Sequence, residues 1–145
     1  STLDALYDHL EELFIEERDD KNIQNRVIIF DDVGYSGNLK NKSFGIISKL
    51  VANGRHLNLS QIYTSQRFSM ISTTVRSNIT GAILFSTSAK ELDLITDDFN
   101  YLENKKEFVK MFRNYTSEPR SFLVINFTNK DGLYMDSQFQ TIKGM

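Results

Sequence analysis

The sequence predicts an α/β fold, a three-layer sandwich of helices on a mostly parallel sheet, and three observations carry that prediction. Helical and strand periodicities alternate along the chain in the order α, β, α, β, α, β, α, α, β. Strands separated by helices of this length are the pattern of parallel sheets with crossover helices. Residues 27–30 (VIIF) form a continuous β-branched and aromatic run, as in a strand buried on both faces. Finally, 145 residues with 40% apolar content describe one globular domain over residues 1–145, with no repeat, low-complexity tract or linker.

Taken in order, residues 1–18 place Leu3, Leu6, Tyr7, Leu10, Leu13 and Phe14 on one helical face. Asp4, Asp8, Glu11, Glu12, Glu16 and Glu17 are mostly turned away from it, and Ser1 or Thr2 is the candidate N-cap. The polar stretch RDDKNIQN ends this helix before the strand at 27–30. Beyond the loop at 31–43, residues 43–53 set Phe44, Ile47, Leu50 and Val51 on one face, with Gly54 as the stop. A strand at about 57–65, a short helix at about 71–78 and a strand at 81–88 follow. Helices near 89–97 and 103–114 come next, the second built on Phe108, Val109, Met111 and Phe112. The last clear strand is RSFLVINF, with Pro119 marking the turn before it.

Composition narrows the function. A net charge of −2 describes no dedicated basic DNA-binding module, although a local patch or a ring of subunits around a pore stays compatible with nucleic acid. The absence of cysteine excludes disulfides, thiolate chemistry and cysteine-type zinc sites. No apolar run approaches the roughly 20 residues of a membrane helix. The chain begins at Ser1, as a processed product or a piece of something longer would.

In parallel α/β sheets ligands sit at the carboxyl ends of strands. Those positions hold Asp31 and Asp32 after the first strand, Thr64, Ser65, Gln66 and Arg67 after the second, and Ser86, Thr87 and Ser88 after the third. A strand-end carboxylate suits Mg²⁺, a hard cation that prefers oxygen and keeps several waters. A second carboxylate beside it is placed to orient or deprotonate a water, and a glutamine amide offers donor and acceptor together. Each acid taken alone equally suits a plain turn or a helix cap.

Two stretches resemble a known group. The run VIIFDDV resembles the Walker B strand of P-loop ATPases, and NGRHLNLSQIYTSQRFSMISTTVRSNITGAILFST resembles the FtsK/HerA superfamily of DNA-pumping ATPases. The features that carry the second likeness are Gly54, Arg55 and His56, then Ser65, Gln66 and Arg67, then Arg76, Ser77 and Asn78. The genome-packaging ATPases of poxviruses, other large DNA viruses and virophages are the branch it is most similar to, from about residue 5 to residue 128. The resemblance implies a RecA-like core that binds ATP with Mg²⁺, Asp31 on the metal side and Asp32 polarising the attacking water. Gln66 becomes the γ-phosphate sensor, and Arg55 an arginine finger for a neighbouring subunit. Arg67 and Arg76 are further candidates for that trans role or for DNA contact, while His56 reads as a packed or capping histidine. Double-stranded DNA, a homo-oligomeric ring in the full-length protein, and capsid or portal-vertex proteins are the implied partners. The implied location is the host-cell cytoplasm or viral factory, or the virion.

One departure is large. The superfamily's glycine-rich phosphate loop precedes Walker B, yet residues 1–26 contain no glycine, and the glycines of VGYSGNLKNKS follow the acids. The chain is therefore expected to be the C-terminal part of such an ATPase, lacking the phosphate-loop strand and hydrolysing ATP slowly or not at all. In the superfamily that strand lies between those at about 59–64 and 81–86, so a gap, closure of the two strands, or pairing with another chain is expected. Two other readings stand beside this one. A receiver-type signalling domain also has an Asp pair after its opening strand, but needs an Asp after its third strand and a Lys after its fifth. A non-enzymatic interaction module would keep packing surfaces without catalysis.

Overall fold

The structure, a computed structural model, describes residues 2–33, 43–129 and 132–143. The chain forms two compact units, Ser1–Asn78 and Ile79–Met145. Most of the loop at 31–43 lies outside the described residues, as do the side chains of Leu3 and Phe44.

The first unit runs α1 (Thr2–Asp19), β1 (Arg26–Phe30), α2 (Ser43–Asn53), a 3₁₀ turn (Gly54–Leu57), β2 (Leu59–Tyr63), a 3₁₀ turn (Phe68–Met70) and α3 (Thr73–Arg76). β1 and β2 pair in parallel, with Arg26 opposite Leu59 and Phe30 opposite Tyr63. Tyr7 and Leu10 of α1 and Ile46 and Leu50 of α2 bury with Leu57 and Leu59, and Phe14, Ile28 and Phe30 pack against them. Removing these side chains from water is the main source of stability for the unit. Phe30 and Tyr63 stack with ring centroids 4.8 Å apart and planes 7° from parallel, which locks the two strand ends side by side.

Gly54 follows the last residue of α2 and opens the 3₁₀ turn, at a position where a side chain would be crowded. A Cβ there would come within 2.2 Å of Gln61 Nε2, an amide that donates to the Leu50 carbonyl at 2.6 Å. Tyr63 in turn donates its hydroxyl to Gln61 Oε1 at 2.6 Å, and burial pushes the phenol up to about 12.

The other end of β1 is tied to α1. Arg26 donates both terminal guanidinium nitrogens to the Glu17 carboxylate, Nη1 at 2.8 Å, and the Gln24 N–H adds a bond at 3.1 Å. These donors, Arg26 first, hold the Glu17 carboxyl below its ordinary value of 4.5. A lowered carboxyl stabilises the fold above the unfolded value and loses that contribution as pH falls through the folded one. Denaturant titrations of wild type and Glu17→Gln should therefore differ at neutral pH and converge in acid below 4.5. A difference that stays constant across that range would show the pair to be unimportant.

The strand run at 27–30 departs from expectation. Ile28 and Phe30 face the helices, but Val27 and Ile29 are 56% and 60% exposed, as is Ile62 of β2 at 49%. An apolar run records that both faces avoid water. In this chain α1 and α2 cover one face.

The second unit runs β3 (Gly81–Phe85), α4 (Ala89–Phe99), α5 (Lys105–Tyr115), β4 (Phe122–Asn126) and β5 (Tyr134–Met135). Its sheet has the order β3-β4-β5 with both pairings antiparallel. The α/β class and the parallel pairing of β1 with β2 agree with expectation; the antiparallel second sheet differs from it. The reason is parity. Two consecutive helices separate β3 from β4, so the chain re-enters the sheet from the opposite end, whereas a single crossover helix would restore the direction.

Both helices start on side-chain caps. Ser88 accepts from the Glu91 N–H at 3.4 Å and Asn104 from the Glu107 N–H at 3.0 Å, each with the acid three residues in. Phe99, Phe108, Phe112, Leu123 and Ile125 are the largest fully buried side chains among the described residues of this unit. Among the described residues β2 belongs to the two-stranded sheet and β3 to the three-stranded one.

Candidate functional site

The in-register pair Phe30 and Tyr63 sets the residues that follow them next to each other. The Thr64 N–H donates to the Phe30 carbonyl at 2.9 Å, and the Val33 N–H donates to the Thr64 carbonyl at 3.0 Å, so the two backbones stay joined just past the strand ends, where the regular ladder stops. At this carboxyl edge the Thr64 hydroxyl donates to Asp31 Oδ1 at 2.6 Å and accepts from the Asp32 N–H at 2.8 Å. Gln66 Nε2 donates to Asp32 Oδ2 at 3.5 Å. Asp31 is exposed and Asp32 half-buried.

Asp32 has φ of 52°, in the left-handed region that a side-chain-bearing residue enters at a cost. Aspartate tolerates that region better than most residues, and held strain of this kind clusters at functional sites. Among the described residues no three His, Cys, Asp or Glu side chains converge as a metal cage. Two adjacent carboxylates, one exposed and one half-buried, would suit instead a cation that keeps most of its waters, as Mg²⁺ does.

Asp31, Asp32 and Gln66, predicted from the sequence, are thus brought together. Arg55 is not. It lies exposed on the 3₁₀ turn before β2, at the amino end of that strand, roughly 15 Å of strand away from the acids. His56 lies exposed beside it on the same turn. Arg67 is exposed just past Gln66 at the start of the next turn, its N–H on Ser65 Oγ at 3.3 Å. Arg76 ends α3 with its guanidinium over the Phe68 ring, 5.0 Å from the centroid, and Nη2 on Thr73 Oγ1 at 3.4 Å. Ser88, from the third strand end, is the cap of α4. The residue the sequence left without a role is Thr64. Its position at a strand end was visible, but its two bonds depend on the register of β1 against β2.

A family model described as Poxvirus A32 protein matches residues 2–140. The chain belongs to that family. Comparison of the chain with curated proteins gives no match. Among solved structures it is similar to B204, the DNA-packaging ATPase of Sulfolobus turreted icosahedral virus, at a TM-score of 0.56 and 20% identity, over 93% of this chain and 62% of that one. The genome-packaging NTPase B204 of Sulfolobus turreted icosahedral virus 2 gives 0.60 and 19% in its AMP complex, covering 94% and 63%. Its ATP-gammaS complex gives the same TM-score and identity, covering 94% and 64%. At these identities the likeness establishes the fold, which is that of a viral packaging ATPase. The chain spans less than two thirds of the length of these proteins.

Proposed function

We propose that this chain supplies the metal-and-water half of an ATP site in a motor that packages double-stranded viral DNA. Family membership and fold support the reading. The observation that carries it is the meeting of Asp31, Asp32 and Gln66 at one strand edge. B204 was solved with AMP, AMPPCP and ATP-gammaS, which favours a nucleotide as the ligand here.

In this reading Asp31 would hold Mg²⁺, which when bound would offset the charge that develops on a transferring phosphoryl group. Asp32 orients the attacking water and accepts its proton, and Gln66, in reach of Asp32 Oδ2, reports the terminal phosphate to the strand that carries it. Arg55 stands too far from these acids to serve them and acts on a neighbouring subunit's nucleotide in a ring. Arg67 and Arg76 are the further candidates for that role or for DNA contact. Capsid or portal-vertex proteins are the further partners, in the host cytoplasm, viral factory or virion. No helix among the described residues is long and apolar enough to cross a membrane.

Amide signals of residues 31–33 and 64–66 followed during titration with ATP and Mn²⁺ test the reading. Selective broadening at these positions, lost in Asp31→Asn, is the expected result; broadening that is uniform or unchanged in the variant counts against it. The chain alone is expected to show no ATP turnover above background, since no phosphate loop is in its sequence. Turnover that vanishes in Asp32→Asn would overturn that expectation.

A second reading, an interaction module without catalysis, is favoured by one observation, the exposed apolar face of Val27, Ile29 and Ile62. Separate titrations with nucleotide and with double-stranded DNA discriminate the two. Binding of neither favours the module.

A further inference from the structure

We propose that Thr64 is the positioning residue of the acid pair, one hydroxyl that sets the carboxylate of Asp31 and the backbone of Asp32 together. The inference rests on the reading of Asp31 and Asp32 as the metal and water acids. A threonine hydroxyl has one proton to give and lone pairs to accept with. Both capacities are committed here, the proton to Asp31 Oδ1 at 2.6 Å and a lone pair to the Asp32 N–H at 2.8 Å. The first distance is in the range of a charge-assisted O–H···O⁻ bond, the stronger class.

Three consequences follow for the site. Asp31 Oδ1 accepts the hydroxyl proton, which fixes the orientation of the carboxylate that would hold a cation. The Asp32 N–H, in a left-handed conformation with φ of 52°, has its partner supplied by a side chain rather than a strand. The same strand end carries Gln66, whose amide reaches Asp32 Oδ2 at 3.5 Å. A shift of residues 64–66 on sensing phosphate therefore moves both acids at once. The stacked Phe30 and Tyr63 rings directly before these residues give the bridge a rigid base.

Valine matches threonine in shape but lacks the hydroxyl, so Thr64→Val removes both bonds, whereas Thr64→Ser keeps the oxygen. Two measurements on the 145-residue chain decide the matter. Hydrogen exchange of the Asp32 amide without metal should be alike in wild type and Thr64→Ser and about 10-fold faster in Thr64→Val. The amide of Ile28, in the β1 ladder, should be unchanged in all three and so reports an intact fold. Mn²⁺ alone, followed by broadening at residue 31, should bind roughly 10-fold or more weaker in Thr64→Val and recover in Thr64→Ser. Asp32 exchange that is equally fast in wild type and Thr64→Val would overturn the bridge, and equal Mn²⁺ affinity with an intact Ile28 would overturn its positioning role. A wild-type chain with no Mn²⁺ effect at residue 31 removes the underlying reading of the acids, and the exchange comparison still decides the bridge.

Discussion

Phe108→Ala is expected to destabilise the second unit by about 3–5 kcal/mol, the usual range for deleting a fully buried aromatic ring. Phe108 is 0% exposed, and its ring lies 6.4 Å from Phe112 and 5.8 Å from Tyr134, centroid to centroid. Leu123 and Ile125 of β4 are equally inaccessible, so the unit's helix and sheet layers meet among these side chains. Relaxation into the void is limited because interiors are close-packed. Since whole domains are stable by only about 5–15 kcal/mol, the loss would take a large share of the total. Urea denaturation followed by circular dichroism measures it, and a change under about 1 kcal/mol would mean the ring is not in this core.

Tyr134→Phe is the second large effect, expected to cost roughly 1–3 kcal/mol although only one oxygen is removed. The Tyr134 hydroxyl donates to the Phe99 carbonyl at 2.6 Å and accepts from the Tyr101 N–H at 2.9 Å, so a single buried group closes the end of α4 from both sides. Phenylalanine fills the same space and leaves that carbonyl and that N–H without this partner. Burial raises the phenol above its ordinary value of 10.0, against a smaller opposing pull from the Tyr101 N–H. A raised value means full stability below 10 and loss as pH climbs through the folded value, since the unfolded chain ionises first. Alkaline denaturation should therefore be less steep in the phenylalanine variant. Equal stability of the two proteins at neutral pH would show that the cap carries no energy.

Much of this fold was readable because local signals were redundant. The helix at 105–115 was legible in Phe108, Val109, Met111 and Phe112, and the structure adds the caps Ser88 before α4 and Asn104 before α5, which carry the same information locally. β5 was not readable, because two residues have no period to detect. The antiparallel sheet was within reach, since two helices in a row already stood between the strands, but direction follows from counting crossings rather than from any residue's preference. The site divided along the same line. Asp31, Asp32 and Gln66 were visible as residue types at strand ends. The hydroxyl of Thr64 acquires its role only when β1 and β2 are in register, and no single stretch of sequence contains that register. Arg55 carries the opposite lesson, a recognisable residue that the topology sets at the wrong end of its strand for the acids of its own chain.

The wet face of Val27, Ile29 and Ile62 has a calorimetric signature. Apolar surface contributes to the heat capacity of unfolding only when it is newly exposed, at about 0.45 cal/K/mol per Å². These side chains already meet water in the folded chain, so their exposed area adds nothing to its heat-capacity increment on unfolding. Whatever covers that face then declares itself by a negative heat-capacity change on association.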